Sequence, residues 1–361
     1  MPRASHPVAR LVEPLIVPAV FDFWASKLNR TLSWERCLAR VIECRREARD
    51  CVTLVLRANR HFAGYLPGQH LNISVEVDGV RLTRCYSPTT LPGVDRTFAI
   101  TVKAIEGGRV SQALVHDTRV GDVLEIGPGE AFGDMVLPAD ATRRRWLLAA
   151  AGSGITPLMA LLRALLAQDA DSDVLLFYWV RCREDLCFRD ELEGYARTQA
   201  NVRVVPVLTG GQVPADGELS GRPAETHFLP LADLDQRHVR ACGPRGFVDT
   251  IGALLGEAVP SLESESFTPT AATSIAGAPV TVTLARSGRQ VQLPSGESLL
   301  SALEAAGIQP AHGCRQGICN TCSCHKLAGH THDMLLAQDD AEAGAIKLCV
   351  SSAQSNLTLD L

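Results

Sequence analysis

Four cysteines constrain this chain more than any other feature. The run Ala311-His312-Gly313-Cys314-Arg315-Gln316-Gly317-Ile318-Cys319-Asn320-Thr321-Cys322-Ser323-Cys324 spaces Cys314, Cys319 and Cys322 as C-x4-C-x2-C, and Cys349 follows far along the chain in IKLCVSS. This is the plant-type spacing of a [2Fe-2S] cluster, in which two irons and two bridging sulfides take four thiolates from a loop that wraps round them. Gly313 and Gly317 give that loop the freedom to turn backbone N–H groups toward sulfur. Zinc usually sits between paired C-x2-C knuckles, so the x4 gap and the remote fourth cysteine fit it poorly. Cys324 would make C-x4-C-x4-C if it replaced Cys322, and it reads as a small buried residue with a lesser claim as ligand. His312 and His325 would serve a Rieske centre only by displacing thiolates already present, and they read as packing or surface residues.

Five of the 12 cysteines lie between Cys314 and Cys349, a clustering that favours metal over a disulfide framework. At 361 residues the chain suits two or three domains. Hydrophobic residues are 46% and charged residues 21%, usual for a globular protein, and no apolar run approaches the roughly 20 residues of a membrane-spanning helix. The opening MPRASHPVARLVEPLIVPAV is interrupted by Pro14 and Pro18 and carries Glu13, which makes a poor secretory signal and places the expected protein in the cytoplasm. A net charge of -5, with no basic stripe interleaved with aromatics, gives no reason to expect nucleic-acid binding. Residues 1–60 run the other way, with eleven Lys or Arg against six Asp or Glu. That surplus, beside the apolar N-terminal stretch, suggests peripheral contact of residues 1–36 with the inner face of an anionic membrane or with an acidic partner; a solvated basic face is the alternative.

The pattern of the chain changes twice. Residues 37–140 hold short alternating stretches (LARVIEC, CVTLVLRA, HLNISVEV, RLTRCYS, TFAITVKAI, DVLEIG) punctuated by Pro-Gly, Asp-Gly and Gly-Gly, which predicts an antiparallel β-barrel. Residues 141–268 alternate apolar runs (RWLLAAAG, DVLLFYWV, NVRVVPVL, RHVRACG) with helix-length segments, which predicts βαβ units and a parallel sheet. Residues 269–279, PTAATSIAGAP, read as a linker. In 280–361 a hairpin (VTVTLARSGRQVQL) and a helix (ESLLSALEAAG) precede the cysteine loop, an α+β unit. The fold class is thus multidomain: β-barrel, α/β parallel-sheet domain and α+β domain, preceded by an extension over 1–36.

Three motifs bear on chemistry. Arg84-Cys85-Tyr86-Ser87 ends a predicted strand and offers a guanidinium fork for phosphate, an aromatic face with a polar tip and a short hydroxyl. Gly107-Gly108-Arg109-Val110-Ser111 opens a predicted helix whose first N–H groups suit a pyrophosphate. Gly152-Ser153-Gly154-Ile155-Thr156-Pro157 follows a strand and starts a helix, with glycines for close backbone approach and Pro157 in the first turn. It lacks the third glycine of G-x-G-x-x-G.

With these motifs and Cys242-Gly243-Pro244 after RHVRA, residues from about 37 to 361 resemble the ferredoxin-NADP reductase superfamily with a C-terminal plant-type [2Fe-2S] ferredoxin domain of the β-grasp type. The resemblance implies an oxidoreductase that binds FAD in the barrel and a nicotinamide in the parallel-sheet domain. It implies that Ser87 bonds near the reactive flavin nitrogen N5, that Tyr86 lines the flavin, and that Arg84, Gly108, Val110 and Ser111 hold its phosphates, the last group favouring FAD over FMN. It implies further that Gly152, Gly154, Thr156 and Pro157 bind the nicotinamide cofactor, and that Cys242, with Gly243 and Pro244, lies beside the carbon that gives up hydride. Glu265 and Phe267 match the E-x-F ending of that domain, where the aromatic covers the flavin. At the end of DVLLFYWV, Arg181 and Arg183 favour NADPH, while Glu184 and Asp185 behind them leave NADH open.

The order flavin, nicotinamide, ferredoxin is that of several bacterial oxygenase and desaturase reductases. Together with residues 21–42, FDFWASKLNRTLSWERCLARVI, it resembles most the reductase partners of bacterial membrane-bound acyl-CoA Δ9 desaturases. A terminal oxygenase, such as a ring-hydroxylating dioxygenase or an alkane hydroxylase, is the alternative acceptor. A non-enzymatic iron-sulfur redox sensor or carrier is the alternative of another class.

Overall fold

The computed structural model describes residues 17–361 except 94, 268–276, 314, 316, 318, 319, 336 and 337. It opens with helix α1 (Pro18–Leu28), whose proline stands in the first turn where a missing N–H costs nothing.

Six antiparallel strands follow: β1 (Leu38–Ala48), β2 (Cys51–Ala58), β3 (His70–Val77), β4 (Val80–Tyr86), β5 (Thr97–Lys103) and β6 (Val123–Phe132), in the order β4-β3-β6-β1-β2-β5. Asp78 and Gly79, both at positive φ, make the tight β3–β4 turn that pairs Val77 with Val80. The seam between β4 and β5 is drawn together by a bridge from Pro88 to Ile100. Val41, Leu54, Leu56, Leu71, Ile73 and Ile100 fill the barrel interior without solvent contact. Strand β1 begins at Leu38, so five residues of the stretch 21–42 belong to the barrel itself and not to an extension.

The second sheet is parallel throughout: β7 (Arg145–Ala151), β8 (Val174–Val180), β9 (Val202–Leu208), β10 (Leu219–Ser220), β11 (Arg237–Gly243) and β12 (Ser261–Ser266), in the order β10-β9-β8-β7-β11-β12. All seven side chains of β8 are buried, as expected of a strand covered on both faces. Helices α3 (Ile155–Gln168), α4 (Arg189–Thr198) and α5 (Arg245–Leu255) make the crossovers. The chain runs outward from β7 through β8, β9 and β10, then returns to the other side of β7 with β11. Loops leave β7 and β11 in opposite directions at that point, which opens a crevice at their carboxyl ends.

The last part has two sheets. One holds β13 (Gly277–Leu284), β14 (Gln290–Ser295), β15 (Ser323–Ala328), β18 (Gly344–Lys347) and β20 (Leu357–Leu359); the other holds β16 (Thr331–Asp333), β17 (Gln338–Asp340) and β19 (Ser351–Ala353). Helix α6 (Leu299–Ala305) is capped by the Ser298 hydroxyl, which accepts from the Ser301 N–H, and buries Leu299, Leu300 and Leu303. Of the linker expected over 269–279, residues 269–276 lie outside the described residues, and 277–279 are the start of β13.

Candidate functional site

A cavity of about 440 Å³ lies where the three parts meet. The end of β4 contributes Arg84, Cys85, Tyr86 and Ser87 to its wall, and the loop into the short helix α2 (Arg109–Gln112) contributes Gly107 to Ser111. The loop after β7 adds Ser153 and Thr156, the residue after β12 adds Phe267, and the cysteine loop adds His312 and Arg315. Eight sequence-derived candidates thus share one wall: Arg84, Tyr86, Ser87, Gly108, Val110, Ser111, Thr156 and Phe267.

Ser87 is 2% exposed, and its hydroxyl has no hydrogen-bond partner among the described residues. A buried hydroxyl left unpaired on a cavity wall is costly unless a ligand completes it. That observation fits a bound flavin. Burial pushes the Tyr86 phenol well up, and nearby Arg84 opposes the shift without reversing it, so the ring stays neutral. Arg84 donates to Thr83 O at 2.7 Å and across to Gly313 O at 3.4 Å, which ties this cavity wall to the cysteine loop. Ser111 spends its hydroxyl locally: it donates to Gly108 O at 3.1 Å and accepts from the Ile105 N–H at 3.1 Å. The hydroxyl is therefore spent on holding the backbone turn. Gly108 suits that turn, since a Cβ there would stand 2.5 Å from Ser111 Oγ.

The nicotinamide motifs converge at the crevice. Gly152 adopts φ +55, and a Cβ on Gly154 would lie 2.0 Å from Cys242 O, so only glycine lets the two loops meet. Pro157 is buried in the first turn of α3, and Pro244 caps α5 in an extended conformation. Gly243 packs against Ala151 and Phe247, and its carbonyl accepts from the Phe267 N–H at 3.2 Å. Cys242 is fully buried behind this loop, not on the cavity wall. Burial, and then the adjacent Glu265 charge, push its thiol far above the ordinary range, so it stands as a neutral S–H.

The two arginines part company. Arg183 is committed to Glu218, with Nε–O distances of 2.7 and 2.9 Å, and donates to Val213 O at 2.6 Å. Arg181 is exposed; its backbone carbonyl accepts from the Gly210 N–H at 2.8 Å, while its guanidinium has no ion-pair partner among the described residues. Neither lines the cavity at the meeting of the three parts.

Cys314 and Cys319 lie outside the described residues. Cys322 and Cys349 are buried. The Gly317 N–H donates to Cys349 Sγ at 3.2 Å. Gly317 has φ +76, and a Cβ there would meet Leu335 at 2.7 Å, so the loop turns its backbone toward sulfur in the manner a cluster requires. Cys324 points into the core of the last domain beside β20, with only long contacts from its thiol to His325 O and Asp360 O. His312, read from the sequence as a surface or packing residue, lines the same cavity, together with Arg315, whose guanidinium is clamped to Glu304 at 2.7 and 2.8 Å. Nothing in local sequence pattern marks His70 either, yet it meets Glu265 across the domain boundary at 3.2 Å.

Comparison with known proteins agrees with this layout. Residues 39–132 match the family model of the oxidoreductase FAD-binding domain, residues 148–252 that of the oxidoreductase NAD-binding domain, and residues 282–354 that of the 2Fe-2S iron-sulfur cluster binding domain. A protein of Mycobacterium tuberculosis named NADPH oxidoreductase is 32% identical over 362 residues, spanning 99% of this chain and 92% of its own length. The phthalate 4,5-dioxygenase oxygenase reductase subunit of Pseudomonas putida is 30% identical over 303 residues, spanning 82% of this chain and 87% of its own. The solved structure of phthalate dioxygenase reductase, described as modular for electron transfer from pyridine nucleotides to [2Fe-2S], superposes with a TM-score of 0.58 at 27% identity, over 90% of this chain and 97% of that one. The chain belongs to the ferredoxin-NADP-reductase-like NAD(P)H oxidoreductases that join an FAD domain and a nicotinamide domain to a C-terminal [2Fe-2S] ferredoxin domain.

Proposed function

We propose that this chain carries electrons from NADPH to a membrane-bound fatty acyl-CoA desaturase. The observation that carries the membrane acceptor is α1. Val17, Val20, Trp24 and Leu28 recur at helical spacing on one side, and Trp24 and Leu28 are 65% and 88% exposed. With Phe21 and Leu32 they line a shallow apolar groove. Lys27, Arg30 and Arg36 border a second cavity beside it. An uncovered aromatic and aliphatic face next to cations suits a helix lying in the headgroup layer of an anionic bilayer. Among the described residues, no helix is long and apolar enough to cross a membrane. The N-terminal segment is also shared with the mycobacterial relative, whose similarity spans nearly the whole chain.

FAD, when bound, takes two electrons as hydride from the nicotinamide and releases them one at a time to the cluster. In this reading Ser87 gives its unpaired hydroxyl to the flavin ring, and Tyr86 and Phe267 shield the ring from water. Arg84 and the turn at Gly107–Ser111 hold the phosphates. Gly152, Gly154, Thr156 and Pro157 cradle the nicotinamide cofactor, with Arg181 reaching the 2′-phosphate of NADPH. Cys242 supplies a neutral, apolar-like surface behind the transfer point. His312 and Arg315 fix the cysteine loop against the flavin edge, and Cys314, Cys319, Cys322 and Cys349 hold the cluster.

A terminal oxygenase is the second reading, favoured by the names of relatives such as the phthalate dioxygenase reductase subunit. Flotation with phosphatidylglycerol vesicles and turnover with a reconstituted acyl-CoA desaturase separate the two. Binding and turnover that fall together in Trp24→Asp, with ferricyanide reduction unchanged, support the desaturase reading. Desaturase turnover no better than that of a soluble oxygenase, with no vesicle binding, overturns it.

A further inference from the structure

Two cysteines outside the electron path stand face to face across the boundary between the flavin barrel and the nicotinamide domain. Cys51 is the first residue of β2, and Cys187 lies just ahead of α4; 136 residues separate them, and their Sγ atoms are 3.2 Å apart. Both are buried. The backbone on each side is already docked: the Arg49 N–H donates to Glu184 O at 3.0 Å, the Phe188 N–H donates to Glu47 Oε1 at 3.1 Å, and Lys103 pairs with Asp185 at 3.4 Å. Two thiols held this close in a preorganised seam need only a small further approach to reach the roughly 2.05 Å of a disulfide.

We propose that Cys51 and Cys187 form an oxidisable dithiol, a modification site at which peroxide joins the two domains by a disulfide. The chemistry balances with hydrogen peroxide as oxidant. The Cys187 thiolate attacks one peroxide oxygen, so an S–O bond forms, the O–O bond breaks, and the departing hydroxide takes up a proton to leave as water. The Cys51 sulfur then attacks the sulfenic sulfur: the S–S bond forms, the S–O bond breaks, and a second water leaves with the Cys51 proton. The dithiol loses two electrons and two protons, and one peroxide becomes two waters. The direction of attack follows from the pair itself. The sulfur–sulfur contact with Cys51 holds the Cys187 thiol below its ordinary value despite burial, while the same contact and burial push Cys51 up.

The site is connected to the nicotinamide loop. The Cys187 N–H donates to Tyr178 Oη at 3.4 Å, and Tyr178 Oη donates to Gly152 O at 3.1 Å. A shift of Cys187 toward Cys51 therefore pulls on the residue that opens Gly152–Pro157. Cys182, 3.2 Å from Asp185 Oδ2 and close to Arg49, is the rival thiol in the same seam.

The test uses the full-length, cofactor-loaded protein titrated with hydrogen peroxide while the visible absorption of the cluster is followed. The expected result is the loss of two free thiols and of two hydrogens in intact mass before the cluster absorption falls. Non-reducing peptide maps then contain a Cys51–Cys187 linked peptide that dithiothreitol removes. Cys51→Ala and Cys187→Ala each abolish that peptide, and the wild-type map decides the matter alone should either variant fail to fold. The KM for NADPH rises in the oxidised wild type and returns on reduction. Bleaching of the cluster before any linked peptide forms, or linkage of Cys187 to Cys182 instead, overturns the proposal.

Discussion

His70 Nδ1 lies 3.2 Å from Glu265 Oε1, joining the start of β3 in the flavin barrel to the last strand of the nicotinamide sheet with both side chains largely buried. The contact has the separation of an ion pair but not the alignment of a hydrogen bond, and both His70 nitrogens and both Glu265 oxygens lack a hydrogen-bond partner among the described residues. Glu265 is also the register partner of Cys242 on β11, so the barrel reaches the transfer loop through one carboxylate. His70→Phe is expected to leave that carboxylate unpaired and to cost roughly 1–3 kcal/mol of stability in guanidinium unfolding of the FAD-loaded protein. Glu265→Gln added to it should recover part of the loss, because the buried charge is gone. Equal stability of wild type and His70→Phe would show that the contact does not matter.

The thiol of Cys242 is held far above its ordinary value, first by burial and second by Glu265. NADPH-ferricyanide activity should therefore show no thiol ionisation step in the window around pH 8.5 where an ordinary cysteine loses its proton. A group whose value is raised keeps its proton through that window. The pH profile of wild type against Cys242→Ala measures this: a step near pH 8.5 present only in wild type would contradict it.

For the cluster, Cys314→Ser, Cys319→Ser, Cys322→Ser and Cys349→Ser should each abolish or badly impair the [2Fe-2S] spectrum, while Cys324→Ser leaves it. Cys324 is packed into the core of the last domain with only long thiol contacts. Visible absorption and electron paramagnetic resonance read the outcome. Retention in Cys322→Ser with loss in Cys324→Ser would reverse the ligand assignment.

Cofactor choice should rest on Arg181 rather than Arg183. Arg183 is spent on Glu218, so Arg183→Ala should shift KM for NADPH and NADH alike. Arg181→Ala should raise KM for NADPH alone, by about tenfold, the order of one charge-assisted contact to phosphate. Steady-state kinetics with both cofactors decide, and an unchanged NADPH preference in Arg181→Ala would remove that residue from the site.

A chain ending at Phe267 should fold, keep FAD and reduce ferricyanide with NADPH near the intact rate, because the barrel and parallel sheet have their own buried cores. It should lose most cytochrome c reduction, since those electrons leave through the cluster. The fragment 277–361, with a separate core of its own, should assemble a cluster but oxidise no NADPH. Cytochrome c reduction undiminished in the shorter protein would mean that the ferredoxin domain is not the exit.

The sequence by itself determined the features carried by local pattern. Period-two stretches became the barrel strands, the apolar run of β8 became a strand buried on both faces, and ESLLSALEAAG became a helix. The spacing C-x4-C-x2-C and the turns at Arg84–Ser87, Gly107–Ser111 and Gly152–Pro157 were legible because their chemistry depends on residues close together in the chain. Only the tertiary structure decided what depends on distant residues meeting. Arg183, promising beside β8, is neutralised by Glu218 across 35 residues of chain. His312 reaches the flavin cavity because the ferredoxin domain docks there, as Arg84 to Gly313 records over 229 residues. His70 finds Glu265, and Cys51 finds Cys187, only where two separately folded cores are pressed together. Packing between domains has no periodicity along the chain, so the contacts it creates leave no local signature to read.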